Sequence, residues 1–354
     1  MSSSGWSKQI EWKSIMRSTI VSLLSTLFLL TLFYGVVHPE ESADSYVFTR
    51  LTKSLPSYST SSSWIRVDRP DLHWEEDHIP DTIFEDAYET PIWVHPPLPN
   101  YLTWPLVQLT ENTKILKLLP IILFTLALFF LYKAYKDRLK LWQMLVCFTP
   151  IPILTVGLYG VPYFYYDMFM GFFFALTVYL IFKGSKWKYL TACLMVLSKT
   201  PAFALIVPLV LLQYHLEYKG DWREALRRSW KMLLPALTLA PYLLATWIIS
   251  DNPFYIIDHW YTMSYYTRLH YNVFLSENWS QVLIYSGAYI FLPILIYSIW
   301  RAWKLRGHYY APVLGAITMV LASWAFIPYQ MLPMLLAMPI MVSLAFSNKT
   351  KKET

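Results

Sequence analysis

Apolar runs of about 20 residues recur along this chain of 354 residues and limit what it can fold into. Clear examples lie at residues 18–37, 115–132 and 163–182. Each is long enough to cross the ~30 Å hydrocarbon core of a bilayer as an α-helix. Only 15% of the residues are charged, against about 25% in soluble domains. The pattern predicts an all-α, polytopic membrane protein, because a membrane β-barrel would show short alternating segments instead.

Lys and Arg lie mainly in short clusters that separate the apolar runs. Six clusters contain 21 of the 29 basic residues, and they fall in every second connection. The positive-inside rule requires this pattern of cytoplasmic loops, so the net charge of +6 indicates topology and argues against a nucleic-acid partner. The alternation predicts one transmembrane domain over residues 1–354, with both termini in the cytoplasm. Its ten predicted spans are residues 18–37, 115–132, 141–158, 163–182, 187–198, 201–217, 232–249, 283–300, 309–326 and 329–346.

Two segments between spans are predicted to lie outside the cytoplasm. The first is residues 38–114, and its part from residue 38 to residue 90 contains 12 of the 23 acidic residues. The second, residues 250–282, is rich in aromatic side chains. The first apolar run lacks a small-residue cleavage site, which favours a retained helix over a removed signal peptide. Cys147 and Cys193 fall inside apolar runs, which argues against a disulfide framework.

The fifth predicted span, residues 187–198, is too short for a full crossing, and Lys199-Thr200-Pro201 follows it. We predict a helix that breaks near the outer face, after which the sixth span returns towards the cytoplasm. Non-helical backbone at membrane depth is tolerated only where it is buried in protein or lines a cavity. The break is therefore a candidate functional site, and it carries a lysine.

Two acids and two cations are predicted to lie near this outer face. Asp44 follows the first span closely, and Asp167 opens the fourth span. An acid against a membrane span is costly without a partner or a function, and a positioned carboxylate can act as a general base. Lys199 and Arg268 do not belong to the cytoplasmic clusters. They either pair with loop acids and lipid headgroups or bind a phosphate group.

A stiff turn at residues 95–98, His-Pro-Pro-Leu, ends the acidic loop just before an apolar run. Two prolines fix φ and remove two backbone donors, and Pro96 disfavours helical backbone at His95. The turn either presents His95 to a phosphate oxygen above the membrane or only ends the loop, with Tyr101 and Trp104 as interfacial anchors.

Four stretches carry a family resemblance: HPEESADSYVFTRL, HPPLPNYL, DMFMGFFFALTVYL and LMVLSKTPAFALIVPLVLL, in this order. Together they resemble motifs of the GT-C membrane glycosyltransferases, in particular the protein O-mannosyltransferase and aminoarabinose transferase group. The stretch PYQMLPMLLAMPIM also resembles this family, with Gln330 close to where a basic residue is expected. The segment DSYVFTR is similar to the catalytic subunits of oligosaccharyltransferases, which share the GT-C fold.

The resemblance implies transfer of a sugar from a polyprenyl (dolichyl) phosphate to an acceptor hydroxyl on the extracytoplasmic face, with inversion at the sugar carbon. The family's acidic pair is not intact in this chain, so Asp44 is the first candidate for the base and Glu41 the second. The implied catalytic residues are Asp44, Glu41 and Asp167. The implied contacts to the donor phosphate are His95, which replaces the commoner lysine, Lys199 and Arg268.

No cofactor is expected and no metal-ligand spacing is visible, although the similarity to oligosaccharyltransferases would imply Mg²⁺ or Mn²⁺. The implied partners are the lipid-linked donor, membrane lipids, and a protein, lipid or glycan acceptor. The active site would face the cell exterior if the protein lies in the plasma membrane, or the lumen if it lies in the endoplasmic reticulum membrane.

Two alternatives are a polytopic transporter of a lipid-linked or anionic substrate and a structural membrane subunit. The clustering of ionisable residues at one face favours a surface reaction over passage.

Overall fold

The computed structural model describes Thr52, Pro96 and residues 98–110, 114–148, 166–218, 220–250, 293–294, 296–301, 304 and 332–346. All regular structure in these residues is helical, as the all-α prediction requires. The α-helices are α1 (Leu98–Thr110), α2 (Lys114–Tyr135), α3 (Leu141–Phe148), α4 (Tyr166–Phe182), α5 (Trp187–Val196), α6 (Ile206–Glu217), α7 (Trp222–Ser229), α8 (Leu239–Ser250) and α9 (Leu332–Phe346). Thr200–Leu205 and Trp230–Thr238 are 3₁₀ segments, and residues 296–301 form a further helical stretch.

Helix α4 forms the centre of the described bundle. It packs most extensively against α2 and α5, and large side chains such as Met170 and Phe174 are completely buried. Its sequence is apolar around the whole helix, which is typical of a helix in a large core or a membrane. The apolar residues of α9 are buried as well, so the core lies between α4 and the helices around it.

A glycine turn makes α4 and α5 antiparallel neighbours. Gly184 has φ of 65°, a left-handed conformation that favours glycine. The Ser185 N–H donates to the Leu180 carbonyl, and the Gly184 N–H donates to the Ile181 carbonyl, both at 3.0 Å. This is a Schellman motif, which satisfies the last carbonyls of α4 and allows α5 to begin at Trp187.

Helix α2 contains the one stretch in the described part of the chain, Leu118–Tyr135, that is long and apolar enough to cross a membrane. The helix extends the predicted span 115–132 to Lys114–Tyr135. One of its faces packs on the bundle, whereas Leu118, Ile122, Leu126 and Phe129 follow one another along an exposed face. The shorter apolar helices include α4 and α6.

The predicted helix break is confirmed. Helix α5 ends at Val196, a 3₁₀ segment follows from Thr200, and α6 begins at Ile206. The Ser198 hydroxyl donates to the Leu194 carbonyl at 2.7 Å, which occupies an acceptor in the last turn of α5. Lys199 therefore lies between two helical segments, on backbone that is not helical.

Two predicted elements differ from the observed ones. The predicted span 232–249 is a 3₁₀ segment up to Thr238 and an α-helix only from Leu239, and Pro235 within it has no N–H to donate. Helix α1 lies inside the predicted loop 38–114; the prolines at its start obscured it. The predicted spans 18–37 and 309–326 lie outside the described residues, as does the outer segment 250–282 apart from Ser250, which ends α8.

One end of the bundle gathers basic residues. We call it the basic end and define it by the described residues 133–142, 182–188, 217–218, 220–231, 300–301, 304 and Phe346. Arg138 lies 4.1 Å from the centre of the Phe182 ring. Arg301 Nε donates to the Ala345 carbonyl at 3.0 Å. Arg228 lies 3.5 Å from the Glu217 carboxylate. Exposed tryptophans accompany these cations, namely Trp142, Trp187, Trp222, Trp230 and Trp300.

Candidate functional site

The opposite end of α4 carries the candidate site. Because α4 runs towards the basic end and α5 runs back from it in the opposite direction, the start of α4 and the end of α5 lie side by side. The 17 residues of α4 separate the two ends by about 25 Å at 1.5 Å per residue. We call this the Asp167 end, defined by Thr52, Asn100, Tyr166, Asp167 and Lys199.

A buried ion pair occupies this end. Lys199 Nζ donates to Asp167 Oδ2 at 2.6 Å, a short charge-assisted hydrogen bond. The two side chains are only 11% and 3% exposed, respectively. Removing two such charges from water costs several kcal/mol per ion, which their attraction repays only with good geometry. A pair placed here is therefore more characteristic of a functional site than of a stabilising contact.

Each member of the pair is positioned by its helix terminus. Asp167 lies in the first turn of α4, where the partial positive charge of the helix N-terminus stabilises a carboxylate. Lys199 follows the last turn of α5, and its carbonyl accepts a hydrogen bond from the Ala202 N–H at 2.9 Å. The non-helical backbone at Lys199 allows its side chain to reach α4.

A second polar contact joins three separate parts of the chain at this end. Tyr166, next to Asp167, donates its hydroxyl to Asn100 Oδ1 at 2.9 Å. Asn100 Nδ2 in turn donates to Thr52 Oγ1 at 3.2 Å. Asn100 and Thr52 are both buried, so each hydrogen bond satisfies groups that water does not reach.

Trp104 lies one turn after Asn100 on α1. Residues four apart share a face of an α-helix, so the indole is on the same side of α1 as the Asn100 amide. Its Nε1 is buried and has no hydrogen-bond partner among the described residues. A buried N–H of this kind is a donor that a ligand oxygen could use.

Replacing Asn100 by Ala is expected to lower the free energy of unfolding by about 1–3 kcal/mol, because the buried Thr52 hydroxyl and the half-buried Tyr166 hydroxyl each lose a hydrogen bond. Equilibrium unfolding of the detergent-solubilised protein would measure this change. Gln108→Ala is the matched control, since Gln108 is an exposed amide on the same helix, and its effect should stay within about 0.5 kcal/mol. Equal effects of the two variants would contradict the role given to Asn100.

The structure describes two of the predicted site residues, Asp167 and Lys199, and brings them into contact. Asp44, Glu41, His95 and Arg268 lie outside the described residues. Three further residues were missed from the sequence, namely Thr52, Asn100 and Tyr166. Their positions in the sequence could have indicated them, because each residue lies inside or next to a stretch that carries the family resemblance.

In the described ranges no group of three or more His, Cys, Asp or Glu side chains could hold a metal ion. Comparison of the chain with protein-family models, with curated proteins and with solved structures finds no match.

Proposed function

We propose that the protein is a membrane glycosyltransferase that moves a sugar from a polyprenyl phosphate to an acceptor hydroxyl at the Asp167 end. The observation that carries the proposal is the buried contact between Asp167 and Lys199. The neighbouring contact between Asn100 and Thr52 joins the segments that contain two further motifs. Three of the four GT-C-like stretches thus contribute Asn100, Asp167 and Lys199 to one end of the bundle, and Thr52, which directly follows the remaining stretch, lies there as well.

The proposed topology is multi-pass, with the basic end in the cytoplasm. Exposed tryptophans beside Lys and Arg are typical of a membrane–water interface on the cytoplasmic side. The exposed face of α2, from Leu118 to Phe129, is apolar over its whole length, which suits contact with lipid rather than water. The Asp167 end then faces the cell exterior or the lumen of the endoplasmic reticulum.

The donor phosphate would bind beside Lys199. A cation held close to a phosphate stabilises the negative charge that grows as the leaving group departs. Asp167 would hold the Lys199 ammonium in place through their hydrogen bond. Arg268 and His95 are proposed as further phosphate contacts, and Arg268 offers the planar fork that suits phosphate oxygens.

Sugar transfer would follow a single displacement. Asp44 takes the proton of the acceptor hydroxyl, and the hydroxyl oxygen attacks the anomeric carbon from the face opposite the phosphate. The bond between the anomeric carbon and the phosphate oxygen breaks, and its electron pair leaves with the polyprenyl phosphate. Inversion at the sugar carbon is the stereochemical result. Glu41 is the second candidate for the base, and the acceptor is a hydroxyl of a protein, lipid or glycan.

The test uses the purified chain in sealed proteoliposomes with a radiolabelled polyprenyl-phosphate sugar. The proposal predicts that the label becomes covalently attached to an added acceptor while polyprenyl phosphate is released. Proteoliposomes without the chain are the control. Movement of the labelled donor between leaflets without covalent transfer would instead support the transporter.

A further inference from the structure

Helix α7 stands apart from the core helices because it is short and polar. Gly220, with φ of 106°, separates it from α6. The Asp221 side chain caps it by accepting hydrogen bonds from the Arg223 and Glu224 N–H groups at 2.9 and 3.3 Å. The helix packs on α6 and on the following 3₁₀ segment, and Ala225 and Ser229 are the residues it buries.

Two parallel stripes of exposed side chains run along this helix and continue into the first residues of the 3₁₀ segment that follows it. Trp222, Leu226 and Trp230, four residues apart, are all exposed apolar side chains. Arg223, Arg227 and Lys231, displaced from them by one residue, are all exposed cations. Residues four apart lie on the same side of a helix. The apolar stripe therefore lies between the buried face and the basic stripe.

The cations of the basic stripe remain accessible despite local ion pairing. Arg227 donates to both carboxylate oxygens of Glu224, at 2.7 and 3.1 Å, and its side chain is still 76% exposed. Glu224 also accepts from Arg228 at 2.7 Å, and these hydrogen bonds lower the pKa of Glu224 from 4.5 to about 2. Arg223 lies over the Trp222 ring at 5.4 Å, which joins the two stripes.

This arrangement fits the headgroup region of a bilayer. Exposing tryptophan and leucine side chains to water is unfavourable, because their apolar surface is more stable away from water. The boundary between headgroups and acyl chains accommodates an apolar stripe beside a basic one. The helix lies at the basic end, together with Trp187 and Trp300, which the proposed topology puts at the same membrane surface. Anionic headgroups complement the basic stripe in charge.

We propose that α7 is an in-plane membrane helix that binds the anionic phospholipid headgroups of the cytoplasmic leaflet, through Arg223, Arg227 and Lys231 and with Trp222, Leu226 and Trp230 in the interface. The inference rests on the proposed membrane topology and is independent of glycosyl transfer.

The test measures which lipids the full-length chain retains. The protein is solubilised in neutral detergent from membranes of equal phosphatidylglycerol and phosphatidylcholine content, purified, and analysed for bound lipid by mass spectrometry. The wild-type chain is expected to retain phosphatidylglycerol in preference to phosphatidylcholine. In the variant R223Q/R227Q/K231Q the preference should fall by at least about tenfold, since each cation near an anionic surface contributes about fivefold.

The charge-preserving variant R223K/R227K/K231R is the matched control and should keep the preference. The variant K183Q/K186Q, which removes two exposed cations of the basic end outside α7, should keep most of it. If the glutamine variant does not fold, two other samples test the proposal: the single variant R223Q, and the wild-type chain purified at high salt. Both should retain phosphatidylglycerol over phosphatidylcholine less strongly than the wild-type chain at low salt. An unchanged preference in these samples, or equal retention of both lipids by the wild-type chain, would overturn the proposal. Because no transfer is assayed, an inactive enzyme would not mimic that result.

Discussion

Replacing Asp44 by Asn is expected to slow sugar transfer by about 10²- to 10⁴-fold, the usual contribution of a general base. The amide has nearly the same size and shape as the carboxylate but cannot accept the proton of the acceptor hydroxyl. The measurement is the rate of transfer from a synthetic polyprenyl-phosphate sugar at saturating acceptor. Binding of the donor should change little, because Asp44 is proposed to act on the acceptor.

Asp81→Asn is the matched control for this prediction. Asp81 belongs to the same acidic loop, but it lies far along the chain from the first predicted span, and its replacement should leave the rate unchanged. Full activity of the Asp44→Asn variant would exclude Asp44 as the base and pass the role to Glu41 or Asp167. Loss of activity in both variants would indicate that the loop requires its total charge.

The second large effect is expected at the buried ion pair. Asp167→Asn and Lys199→Met should each lower the free energy of unfolding by about 3–5 kcal/mol, because each leaves the other charge buried without its main counter-ion. The double variant should lose much less than the sum of the two, since it leaves neither charge behind. Equilibrium unfolding in mixed micelles of detergent and SDS would give the three values and their coupling energy.

An exposed pair on the same protein provides the comparison. Lys136 and Asp137 lie 3.8 Å apart with side chains 33% and 68% exposed. Lys136→Met should change stability by no more than about 1 kcal/mol, because water and salt screen exposed pairs. Effects of similar size at both pairs would show that the burial of Asp167 and Lys199 has no energetic consequence.

The helical class and the broken fifth span could be predicted because each depends on local chemistry. Long apolar runs specify helices wherever they pack, and Lys199-Thr200-Pro201 interrupts such a run. The contact between Asp167 and Lys199 could also be predicted from the sequence, since two helices joined by a tight turn must be antiparallel. Its consequence for catalysis stays a prediction.

The contact between Asn100 and Thr52 could not be derived in the same way. The two residues are 48 positions apart, and no repeating pattern or turn specifies their approach. The 3₁₀ conformation at Trp230–Thr238 was missed for a different reason, because its hydrophobic content is that of an ordinary helix. Backbone hydrogen bonding, which composition does not report, distinguishes the two.

The Schellman turn at Gly184 also bears on the order in which the protein assembles. The turn brings Asp167 and Lys199 together although they are 32 positions apart, so little further chain entropy is lost when they meet. Helix α9 reaches α4 from much further along the chain and closes a far longer loop. Contacts of low sequence separation form fastest, so the α4–α5 hairpin should form early and bring Asp167 to Lys199 before α9 packs. φ-values that are high in α4 and α5 and low in α9 would report that order.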